Sequence, residues 1–193
     1  MLAEFEEYLK TNPISVLSFH PSFEKTLNEM LVVGGKRFRP LLMFSVIEAL
    51  DSRMLPNSYD VALAIECLHT YSLIHDDLPC MDDSPLRRGH PTLHTVYGDA
   101  AAVLAGDALM ACSLEYPLVC IKNIQPAKLL NAMKIFSTAI GPRGVCGGQA
   151  LDMNTTSAEG DSDYVRRIAA LKTGALIKAA ILAGAALGSD NEA

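Results

Sequence analysis

Val61-Ala62-Leu63-Ala64-Ile65-Glu66-Cys67-Leu68-His69-Thr70-Tyr71-Ser72-Leu73-Ile74-His75-Asp76-Asp77 is the stretch that decides the fold. Its apolar residues follow helical rather than alternating spacing, Asp60 stands where a cap belongs, and Pro79 ends the run. Working outward, the same spacing predicts helices over about 2–11, 21–33, 39–50, 100–120, 126–140, 144–153 and 161–188. Asn12-Pro13 and Gly34-Gly35 are natural stops for the first two, and 155–161 reads as a surface loop. A long loop is expected from Pro79 to about Pro91, followed by a short helical piece. Leu and Ala make up more than a quarter of the chain, and no turn-bounded alternating run suggests a sheet. The reading is all-α, one domain over residues 1–193.

The composition is that of a globular chain, 50% hydrophobic and 20% charged. Lys plus Arg is 16 against 22 Asp plus Glu, a net charge of −6 that argues against a partner bound through nucleic-acid phosphates. The five cysteines (67, 80, 112, 120 and 146) show no CxxC spacing. With no signal sequence either, a reduced, cytoplasmic protein with incidental thiols is expected. The longest apolar run considered, Ala179 to Leu187, is short of the roughly 18–20 residues a membrane span needs, so none is expected.

The chemistry concentrates in His75-Asp76-Asp77-Leu78-Pro79-Cys80-Met81-Asp82-Asp83. Two unit charges about 5 Å apart repel by roughly 3 kcal/mol at an effective dielectric near 20, so converging acids need a cation. Mg²⁺ binds through one or two carboxylates plus substrate phosphates. Asp76 and Asp77 end an apolar helix, and Pro79 lets the chain turn and return Asp82 toward Asp76. A solvated acidic loop is the plainer alternative, but Leu78, Pro79, Cys80 and Met81 interleave the acids with apolar residues, which favours metal binding.

Arg87-Arg88-Gly89-His90 follows at once, and acids for a metal beside arginines for phosphate oxygens are the parts of a metal–diphosphate site. The arginines can equally pair with the loop aspartates in the empty protein. Gly34-Gly35-Lys36-Arg37-Phe38-Arg39-Pro40 forms a second basic group at a glycine hinge opening a helix. His69, seven residues before Asp76, shares its helix face and becomes a phosphate donor in this company. Lys172-Thr173-Gly174 interrupts an apolar helix, where the lysine either snorkels to solvent or meets an anion. Gln149 and Asp152 share a face and serve either a polar cavity wall or ordinary capping.

These motifs, with Leu86-Arg87-Arg88-Gly89, Ala105-Gly106-Asp107-Ala108-Leu109 and Gly147-Gly148-Gln149-Ala150-Leu151-Asp152, resemble in order those of the trans-isoprenyl diphosphate synthases, in the pattern of the bacterial farnesyl diphosphate synthases. The resemblance implies a helical bundle around a deep cavity, usually a homodimer. It implies Mg²⁺-dependent head-to-tail condensation of isopentenyl diphosphate onto an allylic diphosphate. By the same resemblance Asp76 and Asp82 correspond to Mg²⁺ ligands, with Asp77 and Asp83 supporting. Gly35, Lys36, Arg39, His69 and Arg88 correspond to the isopentenyl diphosphate site, and Arg87, Lys172 and Thr173 to the allylic diphosphate site. Asp76, Asp82, Arg87 and Lys172 would carry the catalytic step. Tyr71 and Ser72, one turn above Asp76, correspond to the cavity floor, and a bulky Tyr71 favours a farnesyl over a geranylgeranyl product.

The family's second aspartate-rich motif has no counterpart, since Asp161, Asp163 and Asp190 lack its form. A truncated synthase, inactive alone, is therefore expected. Geranylgeranyl diphosphate synthase and a non-catalytic regulatory subunit are the competing readings; retention of nearly every substrate-binding residue argues against the second.

Overall fold

The structure is a computed structural model and describes residues 1–15, 21–32, 35–119, 122–154 and 162–189. Gly34, Cys120, Asp161, Asp190 and the loop expected at 155–161 lie outside the described residues. Among the described residues, ten α-helices and one very short hairpin follow in chain order: α1 (Leu2–Thr11), α2 (Pro21–Val32), α3 (Phe38–Asp51), α4 (Tyr59–Asp76), β1 (Leu86–Arg87), β2 (His90–Pro91), α5 (Leu93–Tyr97), α6 (Asp99–Val119), α7 (Pro126–Ile140), α8 (Val145–Asp152), α9 (Ser162–Ile168) and α10 (Ala175–Gly188). The fold is all-α, as the sequence spacing predicts.

The central element is α4. Val61, Ala62, Leu63, Ala64, Ile65 and Leu68 are each at most 1% exposed although they point in every direction around the helix. A helix apolar all round must be surrounded, and each fully buried Leu or Ile contributes roughly 1.5–3 kcal/mol. Accordingly α6 lies along α4, while α10 packs on α3 and α7 through Leu176, Ala180, Ala183 and Leu187. Phe5 of α1 meets Phe44 of α3 edge-on at 5.4 Å and fixes the first helix against the bundle. That contact also sets the position of Glu6, the next residue.

Four local features differ from the sequence expectation. Asp60 does not cap α4: a 3₁₀ turn over Ser52–Ser58 runs straight into the helix, and Asp60 instead accepts a hydrogen bond from the Tyr8 hydroxyl. The loop after Pro79 contains an antiparallel pair, Leu86 with Pro91 and Arg87 with His90, turned by Arg88 and Gly89 at φ 55° and 83°. Two-residue strands are too short to show alternation in sequence. The expected last helix is divided by a π-helical segment, Ala169–Gly174, which holds Lys172 and Thr173. Finally, Asp99–Val119 and the continuous helical run Ser162–Gly188 are longer apolar stretches than the run considered in the sequence; by length and composition alone they could cross a membrane, a test that core helices of a bundle also pass. Counting only uninterrupted apolar residues stops short at Lys172 and Lys178, whereas the helical run carries through them.

Candidate metal and diphosphate site

The end of α4 and the loop after it bring the acids together. Pro79 prevents further helix, and the chain turns on hydrogen bonds from Met81 N to Leu78 O (2.9 Å) and Asp83 N to Leu78 O (3.1 Å). The turn closes with Asp82 N donating to Asp76 O at 2.9 Å, which returns Asp82 to the end of the helix as the sequence suggested. Burial pushes the Asp76 carboxyl up to about 6; Lys172 and Arg87 oppose the rise while Asp82 and Asp77 add to it. Asp82 and Asp83 are exposed, and Asp83 adopts a left-handed φ of 47°.

Asp77, expected to support the metal ligands, is paired with an arginine, the pairing the sequence allowed for the empty protein. It is 2% exposed, and Arg87 donates to it from Nε at 3.0 Å and from Nη2. Its carboxylate is therefore spent on holding Arg87, whose guanidinium remains close enough to Asp76 and Asp82 to feel their charge. Among the described residues, no three His, Cys, Asp or Glu side chains lie close enough to hold a metal between them. The donor set that remains, a desolvated Asp76 and an exposed Asp82, suits a hard cation that takes its other ligands from a diphosphate and water.

Lys172 reaches the field of the acids from the π-helical segment. Its Nζ donates to Asp152 Oδ2 at 2.6 Å and lies within the field of Asp76 and Asp82. The π-helical segment can come this near only because α8 presents Gly148: a Cβ there would stand 2.3 Å from Lys172 N. Thr173, next in the segment, is exposed. Gln149 is 8% exposed, and neither its Nε2 nor its Oε1 has a hydrogen-bond partner among the described residues. His75 leaves the acid group and docks on α6, where a Cβ on Gly106 would stand 2.1 Å from Nε2. Its Nε2 lies 3.1 Å from Val103 O, which explains the small residue of the Ala105-Gly106-Asp107 motif.

Two turns earlier along α4 is a hollow of about 640 Å³ lined by Lys36, Arg39, Glu66, His69, Arg88 and His90, with Gly35 at its edge. Burial, then the charges of Arg39, Arg88, Arg87 and Arg37, pull His69 down to about 3, so the imidazole is neutral at pH 7. Arg39 Nε is buried with no hydrogen-bond partner among the described residues. An unsatisfied buried guanidinium N–H among cations is a group made for an anion.

The expected cavity floor is buried. Tyr71 is 5% exposed, stands edge-on to His75 at 5.8 Å, and carries its hydroxyl 3.6 Å from Cys146 Sγ on α8. Ser72 turns back into its own helix, its Oγ donating to His69 O at 2.8 Å. Sequence reasoning missed Arg37, Glu66 and Cys146 as parts of these sites. The one available signal was Glu66, an acid inside an apolar helix three residues before His69.

The polyprenyl synthetase family matches residues 20–193 of this sequence. The chain belongs to the polyprenyl synthetase family. It is 40% identical over 170 residues to the farnesyl diphosphate synthase of Escherichia coli, covering 86% of this chain and 56% of that protein. It is also 40% identical over 159 residues to a chloroplastic geranylgeranyl pyrophosphate synthase of Capsicum annuum, covering 82% and 43%. Its fold superposes on a Helicobacter pylori geranyltransferase solved with magnesium and isoprenyl diphosphate, at a TM-score of 0.92 and 41% identity over 99% of this chain and 64% of that one. The chain spans about half the length of the curated relatives it matches.

Proposed function

We propose that this polyprenyl synthetase chain carries the two diphosphate sites of a trans-prenyltransferase that joins isopentenyl diphosphate to an allylic diphosphate, with farnesyl diphosphate as product. The observation that carries the reading is the division of labour along α4. Neutral His69 sits in a basic hollow, and two helical turns further on Asp76 meets Asp82 under Lys172 and Arg87.

The residues fit Mg²⁺, which Asp76 and Asp82 would hold; when bound it neutralises a diphosphate and stabilises the charge that develops as that group leaves. Lys172, steadied by Asp152, and Arg87, steadied by Asp77, aim positive charge at the same oxygens without having to reorganise. Lys36, Arg39, His69 and Arg88 anchor the second diphosphate. The alkene of that substrate is thereby turned toward the allylic carbon, and the apolar side of α4 excludes water from the cation. Tyr71 supports the farnesyl product over the geranylgeranyl one, because a buried aromatic ring one turn above Asp76 limits the depth available to a growing tail. Pairing of two copies is part of the same reading. Val103, Met110, Leu114 and Leu118 form an exposed apolar stripe on α6, 38–51% accessible.

Calorimetric titration of isopentenyl diphosphate, and of a non-hydrolysable allylic diphosphate analogue with and without Mg²⁺, tests the proposal. Metal-independent binding of the first and metal-dependent binding of the second are expected. Failure of both ligands to bind the folded chain overturns it.

A further inference from the structure

Arg37 stands between two residues assigned to the hollow, Lys36 and Arg39, yet its side chain is 2% exposed and fully engaged. Nε donates to Glu6 Oε1 at 2.8 Å, Nη1 to Glu66 Oε2 at 2.7 Å and Nη2 to the Leu31 carbonyl at 2.6 Å. One guanidinium thus joins α1, the last turn of α2 and the middle of α4. Its backbone is left-handed at φ 44° and ψ 36°, a conformation that a non-glycine residue keeps only where its surroundings hold it. Its carbonyl accepts Leu41 N at 3.0 Å and so opens α3. The turn carrying Lys36 and Arg39 has its geometry set by this residue.

Glu66 gives the arrangement an electrostatic meaning. It is 3% exposed, lines the hollow, and lies one turn before His69. Burial lowers the pKa of Arg39 and the charge of Glu66 raises it again, so the two side chains feel each other. An uncompensated carboxylate here would draw Arg39 toward itself and repel an entering diphosphate. The fork of Arg37 cancels that charge while keeping Arg39 Nε unpaired.

We infer that Arg37 is a positioning residue for the diphosphate hollow, fixing Lys36 and Arg39 on its rim and neutralising Glu66 beneath it. The inference rests on reading that hollow as a diphosphate site. It is tested by titrating isopentenyl diphosphate into the wild-type chain, Arg37→Met, Arg37→Lys, Glu66→Gln and the double variant Arg37→Met/Glu66→Gln, with thermal unfolding of each.

Arg37→Met is expected to bind about tenfold more weakly, and Arg37→Lys, which keeps the charge but loses the fork, several-fold more weakly. Glu66→Gln is expected to bind at least as tightly as wild type. In the double variant, which removes the unpaired charge but not the loss of positioning, Kd should recover to about that of Arg37→Lys even where the melting temperature stays low. A structural ion pair alone does not give that rescue. Unchanged affinity in Arg37→Met, or a double variant no tighter than the single, overturns the role of Arg37. If Arg37→Met does not fold, weaker binding by Glu66→Gln or wild-type affinity in Arg37→Lys overturns it equally. A folded wild-type chain that binds no isopentenyl diphosphate instead removes the diphosphate reading, and the role of Arg37 with it.

Discussion

Arg87 grips Asp77 through both Nε and Nη2, and this pairing separates two adjacent aspartates into different jobs. Asp77 is buried and committed to the arginine, while Asp76, one residue earlier, keeps a desolvated carboxyl pushed up to about 6. Only the second is poised to gain from a cation.

Binding of metal and diphosphate at Asp76 should therefore depend on pH. A carboxyl raised in the folded protein is protonated below about 6, so Mg²⁺-dependent affinity falls as pH drops from 7 to 5, with proton release on binding. Titrations in buffers of different ionisation enthalpy measure the released proton. Asp76→Asn and Asp82→Asn should each abolish the metal-dependent part. Without ligand, Asp76→Asn should leave stability at pH 7 unchanged or higher, because the charged form is disfavoured in the folded state; a clear loss in chemical denaturation contradicts this.

His69 is shifted in the other direction. Its folded value near 3 lies below the ordinary histidine value, so the unfolded chain takes up a proton that the folded chain refuses. Its contribution to stability is intact above about pH 6.5 and is lost as pH falls toward 3. Denaturation of wild type and His69→Gln at pH 7 and pH 4.5 should show a smaller acid loss in the variant. A diphosphate entering the hollow should raise the imidazole pKa, which NMR titration of its ring protons reads directly.

Gly148→Ala should injure the site from a distance. The added methyl would stand 2.3 Å from Lys172 N, and both groups belong to packed helical backbone, so α8 and the π-helical segment must move apart. A loss of about 1–3 kcal/mol in stability is expected, together with weaker binding of the allylic analogue and little change for isopentenyl diphosphate. Equal losses for both ligands would show that Lys172 does not serve one site preferentially.

Tyr71→Ala removes a ring that is 5% exposed and should cost about 2–4 kcal/mol of stability. In the condensing enzyme it should shift the product from C15 toward C20, read by chromatography of the hydrolysed products. Cys146→Ala, which removes only the contact at the Tyr71 hydroxyl, should shift it less. Unchanged product length in Tyr71→Ala dismisses the floor.

Helix existence was legible in the sequence because helical periodicity and the proline and glycine stops are local. The first and seventh helices, Leu2–Thr11 and Pro126–Ile140, fall where their spacing places them. The return of Asp82 to Asp76 could be read for the same reason, since a proline-broken turn spans few residues. Which aspartate takes which arginine could not: the hairpin that carries Arg87 to Asp77 is too short to leave a pattern. Arg37 was hidden more deeply, because its three acceptors come from residues 6, 31 and 66.

The amino-acid order by itself determined that the chain is helical, that its acids cluster where an apolar helix meets Pro79 with basic residues close by at 87–90 and again at 34–40, and that the motifs resemble those of prenyl diphosphate synthases. These are properties of spacing, and spacing is written in the chain. Tertiary structure decided which charges oppose which. It buried Asp77 and Glu66 on arginines, raised Asp76, kept His69 neutral and brought Lys172 across to the acids over Gly148. The physical reason is that desolvation and Coulomb interactions depend on distances through space, which packing sets between residues far apart in the sequence.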